Sequence, residues 1–274
     1  MTWFSDYIYA NGIRHHYTRT GGEKPPIMLL HGLTDNGSYW TTIAQDLERD
    51  YDVIMPDARG HGLTDPVGAN PSWKDNAEDV ASLIQQFGLN KPGIIGHSMG
   101  AGTAGVFAAR HPELIRYLVL EDPPLFPRST PSDSESVQNR FAVGPWEQSL
   151  IVLKSKPRNE QLAIARSEHP MWPDVELERW IDARNQFNLS TLHAVYDSTP
   201  DWRDVLPQIQ CPVLLITGDP DKGAIITPEI ADEAISLLPN GRVIRIPDSG
   251  HSIRFDQHDA YLKAITAFLH EHEH

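Results

Sequence analysis

The sequence predicts an α/β protein with a mostly parallel sheet flanked by helices. Short continuous apolar runs recur along the chain, as expected of strands buried on both faces. Helical patterns stand between several of these runs, which is the signature of parallel strands joined by crossovers. The alternation is broken once, between about residues 123 and 200, by a stretch with no strand-like run.

The first element is a hairpin. Asn11-Gly12 stands between the β-prone segments 7–10 and 13–17, and Asn-Gly between such flanks is the strongest short-range hairpin signal. Ile27-Met28-Leu29-Leu30 follows Pro25-Pro26 and reads as the next strand. Similar runs at 52–55, 93–95, 117–120, 213–217 and 242–246 bring the count to eight strands. Residues 72–88 read as a helix. Ser72 can cap it, Asp75 takes the third helical position, and Val80, Leu83, Ile84 and Phe87 lie on one face before Gly88 stops it.

The segment 123–200 is rich in Trp, Pro and charge and too long for a bare loop. It is expected to be a helical cap, with helices through 147–154, 160–168 and 175–187. Residues 1–122 and 201–274 then form one core domain. Tyr261, Leu262, Ile265, Phe268 and Leu269 give a closing helix its apolar stripe, and the terminal His-Glu-His-Glu-His reads as a solvated tail.

Composition limits the function. The 274 residues are 40% hydrophobic and 22% charged, ordinary for a globular protein. No apolar run approaches the roughly 20 residues needed to span a bilayer. Lys and Arg number 23 against 37 Asp and Glu, a net charge of -14, which repels nucleic acid and anionic lipid. Neither is expected as a partner. The first residues lack a basic and then apolar secretory pattern, and the single Cys211 cannot form an internal disulfide. A cytoplasmic location is the expectation. Oligomeric state is not readable from the sequence.

The chemistry concentrates at Gly96-His97-Ser98-Met99-Gly100, between the apolar run 93–95 and the helical run 101–110. In a G-x-S-x-G elbow the serine occupies a sharp, strained strand-to-helix turn. Glycines on either side remove the Cβ atoms that would clash, leaving the hydroxyl proud of the sheet. The helix N-terminus adds free N–H groups, that of Met99 among them, able to bind an oxyanion.

These motifs resemble the α/β-hydrolase superfamily, and the likeness extends from Ile27 to the C-terminus. His31-Gly32-Leu33 resembles the family's oxyanion segment, which implies that the Leu33 N–H is the second oxyanion donor. Residues 56–62, Pro-Asp-Ala-Arg-Gly-His-Gly, resemble its D-x-R-G-x-G turn. The resemblance implies the α/β-hydrolase fold and places the catalytic histidine at His251, in Ser249-Gly250-His251-Ser252 after the last strand. A serine hydroxyl needs such a base, because at neutral pH it is a poor nucleophile until an imidazole takes its proton. His31, His61 and His97 lie in motifs and are expected to orient loops.

A carboxylate must hold the imidazole tautomer. The family's usual position, three residues past Gly218, selects Asp221. Asp122, just after the run 117–120, and Asp219, in the same loop as Asp221, remain alternatives. Trp40, Phe126, Trp146 and Trp172 are candidates for the substrate pocket, with Trp180 a further aromatic of the cap. The competing role for the cap aromatics is a small core of their own.

The expected activity is hydrolysis of a carboxylic ester or lactone through an acyl-enzyme on Ser98. Carbon–carbon bond hydrolysis or perhydrolysis on the same residues is the alternative, and a non-catalytic ligand receptor a more distant one. Relatives with an Asp nucleophile, the epoxide hydrolases and haloalkane dehalogenases, are disfavoured by Ser98. No cofactor is expected, and no histidine falls in a metal-binding pattern.

Overall fold

The computed structural model describes residues 3–66, 72–126, 143–192 and 200–273. Eight strands form one sheet in the order β1-β2-β4-β3-β5-β6-β7-β8. They are β1 (Phe4–Ala10), β2 (Ile13–Arg19), β3 (Pro26–Leu30), β4 (Asp52–Pro56), β5 (Gly93–His97), β6 (Leu118–Glu121), β7 (Val213–Thr217) and β8 (Gly241–Arg245). The β1–β2 hairpin joins β4 antiparallel, and all pairings from β4 to β8 are parallel.

Alternation along each buried strand divides the core. Ile27, Leu29, Val53, Ile95, Val119, Leu214 and Ile216 face one layer with Ile43, Leu47, Tyr261, Ile265 and Phe268, from helices α1 (Thr41–Leu47) and α10 (His258–His272). Met28, Leu30, Ile54, Ile94, Leu118, Leu120 and Leu215 face the other with Val80, Leu83, Ile84, Ala104 and Phe107, from α2 (Trp73–Gln86) and α3 (Met99–Arg110). Ser72 and Asp75 form the expected capping box on α2.

Between β6 and β7 the described residues form α4 (Val143–Ser155), α5 (Arg158–Glu168) and α6 (Asp174–Gln186). Three further helices follow: α7 (Trp202–Val205), α8 (Pro228–Leu237) and α9 (Ile253–Asp256). Leu153, Ala165, Trp172, Leu177, Trp180 and Ile181 make a separate small core that reaches Tyr39. The C-terminus departs from a solvated tail. Helix α10 continues to His272, and the Glu273 carboxylate accepts from Tyr117 Oη at 2.7 Å and pairs with Arg116. Among the described residues no helix is long and apolar enough to cross a membrane.

Candidate active site

Ser98 stands between β5 and α3 with φ 52° and ψ -118°, a left-handed conformation that costs a non-glycine residue energy. The turn survives because the glycines let backbones meet. A Cβ on Gly96 would lie 2.5 Å from the Gly100 carbonyl oxygen, and one on Gly100 would lie 2.1 Å from that of Leu30. The close approach at Gly100 sets the start of α3 against the end of β3. Leu33 and Met99 consequently share one apolar cluster with Trp73. Met99 opens α3, so its N–H has no acceptor within the helix.

His251 lies beside this elbow, its ring centroid 4.6 Å from that of His97. Its Nδ1 is 2.6 Å from Asp122 Oδ2. Asp122 follows β6 with φ 40°, is fully buried, and accepts from the N–H groups of Ile225 at 2.8 Å and Ile226 at 3.1 Å. Burial works to lower the His251 pKa, but the hydrogen bond and charge of Asp122, with Glu121 and Asp35 behind it, outweigh this and hold it above the ordinary 6.5. The ring remains accessible, with 35% of its side chain exposed.

The preference for Asp221 is therefore corrected. Asp221 is exposed in a 3-10 turn over Pro220–Lys222, and the loop after β7 offers the histidine's partner two backbone donors instead of a carboxylate. Asp219 serves its own turn. It accepts from Arg245 Nη2 at 2.7 Å and from the Asp248 N–H at 2.9 Å, and both bonds lower its pKa.

Trp40 is also corrected as a pocket residue. It is fully buried in the core, with the Arg254 guanidinium 4.3 Å from its ring centroid. Arg254 pairs with Glu121 at 2.9 Å, both side chains without solvent exposure. That ion pair ties the strand preceding Asp122 to the helix following His251. Trp172 belongs to the small core and donates from Nε1 to Asp256 Oδ1 at 2.9 Å. Trp146 and Trp180 line a cleft of about 590 Å³ with Leu150, Leu153 and Arg184. Trp146 also packs with Leu33 against Leu150, Phe187 and Leu192, which joins the cleft's wall to the His31-Gly32-Leu33 segment. Phe126 accepts at its carbonyl from Trp202 Nε1 at 2.8 Å.

His31 and His61 orient loops. The Ala58 N–H donates to His31 Nε2 at 2.9 Å while His31 Nδ1 donates to the Gly32 carbonyl at 2.8 Å. His61 Nδ1 donates to the Arg59 carbonyl at 2.8 Å. Burial depresses the pKa of both rings, that of His61 to about 3. Sequence reading missed Glu121, Arg254, Asp35 and Arg184. No local pattern marks them, because each acts through a partner remote in the chain. Among the described residues no cluster of His, Cys, Asp or Glu is arranged to hold a metal ion.

A family model described as the alpha/beta hydrolase fold matches residues 25–257. The chain is 29% identical over 273 residues to the N-formylmaleamate deformylase of Pseudomonas putida, covering 96% of this chain and 95% of that one. It is 26% identical over 263 residues to an esterase of Escherichia coli, covering 94% and 98%. The solved structure of an N-formylmaleamic acid deformylase from Pseudomonas putida superposes with a TM-score of 0.81 at 25% identity, covering 96% and 100%.

Proposed function

The chain belongs to the alpha/beta hydrolase fold family and is a hydrolase; from that premise we propose that it cleaves a carboxylic ester or lactone through Ser98, His251 and Asp122. The observation that carries this reading is the 2.6 Å contact of His251 Nδ1 with a buried carboxylate beside a strained serine elbow. Asp122 fixes the proton on Nδ1, leaving the Nε2 lone pair to take the Ser98 proton as Oγ attacks the acyl carbon. The N–H groups of Leu33 and Met99 receive the negative charge that develops on the carbonyl oxygen. The imidazolium returns its proton to the leaving alkoxide. A water activated by the same ring then releases the acid and restores Ser98. The helices of residues 143–192 act as a cap, and the cleft beside Trp146 and Arg184 admits the acyl chain.

A second reading is favoured by the deformylase that aligns over 95% of its length. Here the same residues cleave the C–N bond of an N-acyl group, with His251 protonating the departing nitrogen. Carbon–carbon cleavage differs from both in making a new C–H bond, so product analysis separates it.

The test is Ser98 labelling by a fluorophosphonate, followed by acid release from a panel of esters, lactones and formamides, with Ser98→Ala alongside. Labelled wild type that turns over esters or lactones, and an inert variant, support the proposal. Turnover of formamides alone selects the second reading. An unlabelled Ser98 with no acid release overturns both.

A further inference from the structure

We propose that His97 is a positioning residue for His251, clamping the base from the elbow through its Nε2–H and its ring face. The inference rests on the proposed role of His251 as base. His97 Nε2 lies 3.0 Å from the His251 carbonyl oxygen. A carbonyl only accepts, so Nε2 carries the proton and donates. The two rings lie 4.6 Å apart at an interplanar angle of 44°. His97 is buried while His251 is open to solvent on part of its surface, so the His97 ring is the wall against which the His251 ring rests.

The wall is held by packing. Asp35 Oδ2 lies 3.7 Å from His97 Nδ1, beyond hydrogen-bond distance of a nitrogen that carries no proton in this tautomer, and Arg184 of α6 stands 3.6 Å from Asp35 Oδ1. Gly32 makes the packing possible, since a Cβ there would sit 2.8 Å from Asp35 Oδ2 and 2.9 Å from His97 Nδ1. The charged groups around the pair are Asp122, Glu121, Asp35 and Arg254. Burial and the Arg254 charge lower the His97 pKa against the pull of Glu121 and Asp35, so the ring is neutral at neutral pH with its proton on Nε2. His251 thus has two restraints of different kinds. Asp122 sets the tautomer through Nδ1, and His97 fixes the main chain and tilt of the ring. No proton passes through His97. Its effect is geometric, and misplacing a reacting group by about 1 Å can cost on the order of 100-fold in rate.

The bond can be separated from the space it occupies. In His97→Gln the terminal amide nitrogen reaches the place of Nε2 and keeps the donor. In His97→Asn the nitrogen stops near Nδ1, and in His97→Phe the ring stays but the donor is lost. The readout is the rate of Ser98 labelling by a fluorophosphonate as a function of pH on the full-length protein, which needs no knowledge of the substrate. We expect Asn and Phe to slow labelling by about 10- to 100-fold. Their acid limb should move to lower pH, because a loosened ring gives up part of its contact with Asp122. Gln should restore both rate and limb. Equal loss in Gln and Asn, or an unchanged rate and limb in Asn, overturns the proposal. If wild-type Ser98 fails to label at all, the proposed function fails first; if it labels and all three variants match it, only this inference fails. Nitrogen-15 NMR of the wild type gives an independent check. The Nε2–H tautomer of His97 at neutral pH is expected, and the Nδ1–H tautomer overturns the proposal without any variant.

Discussion

Asp122 has no solvent exposure and holds three donors, the His251 ring and the N–H groups of Ile225 and Ile226. Asp122→Asn keeps the shape, but its NH2 must face either His251 Nδ1, which forces the Nε2–H tautomer, or the Ile225 and Ile226 N–H groups, donor against donor. We expect a fall in kcat of about 10³- to 10⁴-fold, the size seen when a serine hydrolase loses this charge, with little change in KM. Asp221→Asn, altering an exposed turn, should leave kcat within about twofold, since surface changes of this kind are close to neutral. The reverse ranking in a steady-state assay would restore Asp221. The sequence reading carried Asp122 only as an alternative, and the reason is geometric. The strands β5, β6 and β7 run parallel in that order, so the end of β6 lies beside the elbow and the end of β7 one strand beyond it. Choosing between them requires knowing which loop turns its carboxylate inward. Trp40 was unreadable for a related reason, since the Arg254 guanidinium that covers it comes from the far end of the chain. The elbow at Ser98 could be read because its backbone demands are written within a few residues, whereas His251 was placed only by the family resemblance.

The elbow and the helix that follows it depend on contacts no side chain can replace. A Cβ on Gly100 meets the backbone carbonyl of Leu30, and Gly100→Ala must push β3 and α3 apart. Overpacking of this kind costs on the order of 1–3 kcal/mol. Because the shift moves Leu33 relative to Met99, labelling of Ser98 should slow as well. Ser72→Ala provides the contrast. It removes the capping box of α2 at a cost of about 1 kcal/mol, which lowers Tm by about 2–4 °C in a chain of this size, and it reaches the elbow only indirectly, through Trp73 packed on Met99. Calorimetry and labelling run together on both variants decide the point. If Ser72→Ala slows labelling as much as Gly100→Ala, then loss of stability alone explains both. Elements such as α2 were readable to within a residue or two at each end because capping, apolar spacing and the Gly88 stop agree. The small core around Trp172 and Trp180 could be predicted only as one of two roles for its aromatics, since an amphipathic pattern does not state whether a large ring faces its own helices or a ligand.

Taken as a whole, the molecule buries several histidines in neutral form, and this makes its stability depend on acid. Burial lowers the pKa of His31, His97, His169 and His61, the last two to about 4 and about 3. In the unfolded chain each returns to about 6.5. Between that value and the folded pKa the unfolded state binds protons that the native state refuses, so stability rises with pH across this window and is lost on acidification. Each such group contributes a slope of up to about 1.4 kcal/mol per pH unit. His251 works in the opposite sense. Its raised pKa, like that of His258 beside Asp46 and Asp259, adds stability below 6.5 that disappears as pH climbs through the folded value, so two rings partly offset the four. The carboxylates extend the loss further down. Hydrogen bonds and neighbouring cations override burial to hold Asp35 at about 2 and to lower Asp57 and Asp79. Their contribution is present above about 4 and disappears as pH falls toward the folded values. The urea midpoint should therefore fall continuously from pH 7 to pH 4 and more steeply below. His61→Phe keeps an aromatic ring against His31 and Phe187 and should flatten the upper part of that slope by up to one proton. A midpoint independent of pH between 7 and 4, or a slope untouched by His61→Phe, would mean that these rings are charged in the native state and that the loops they orient are held by ion pairs.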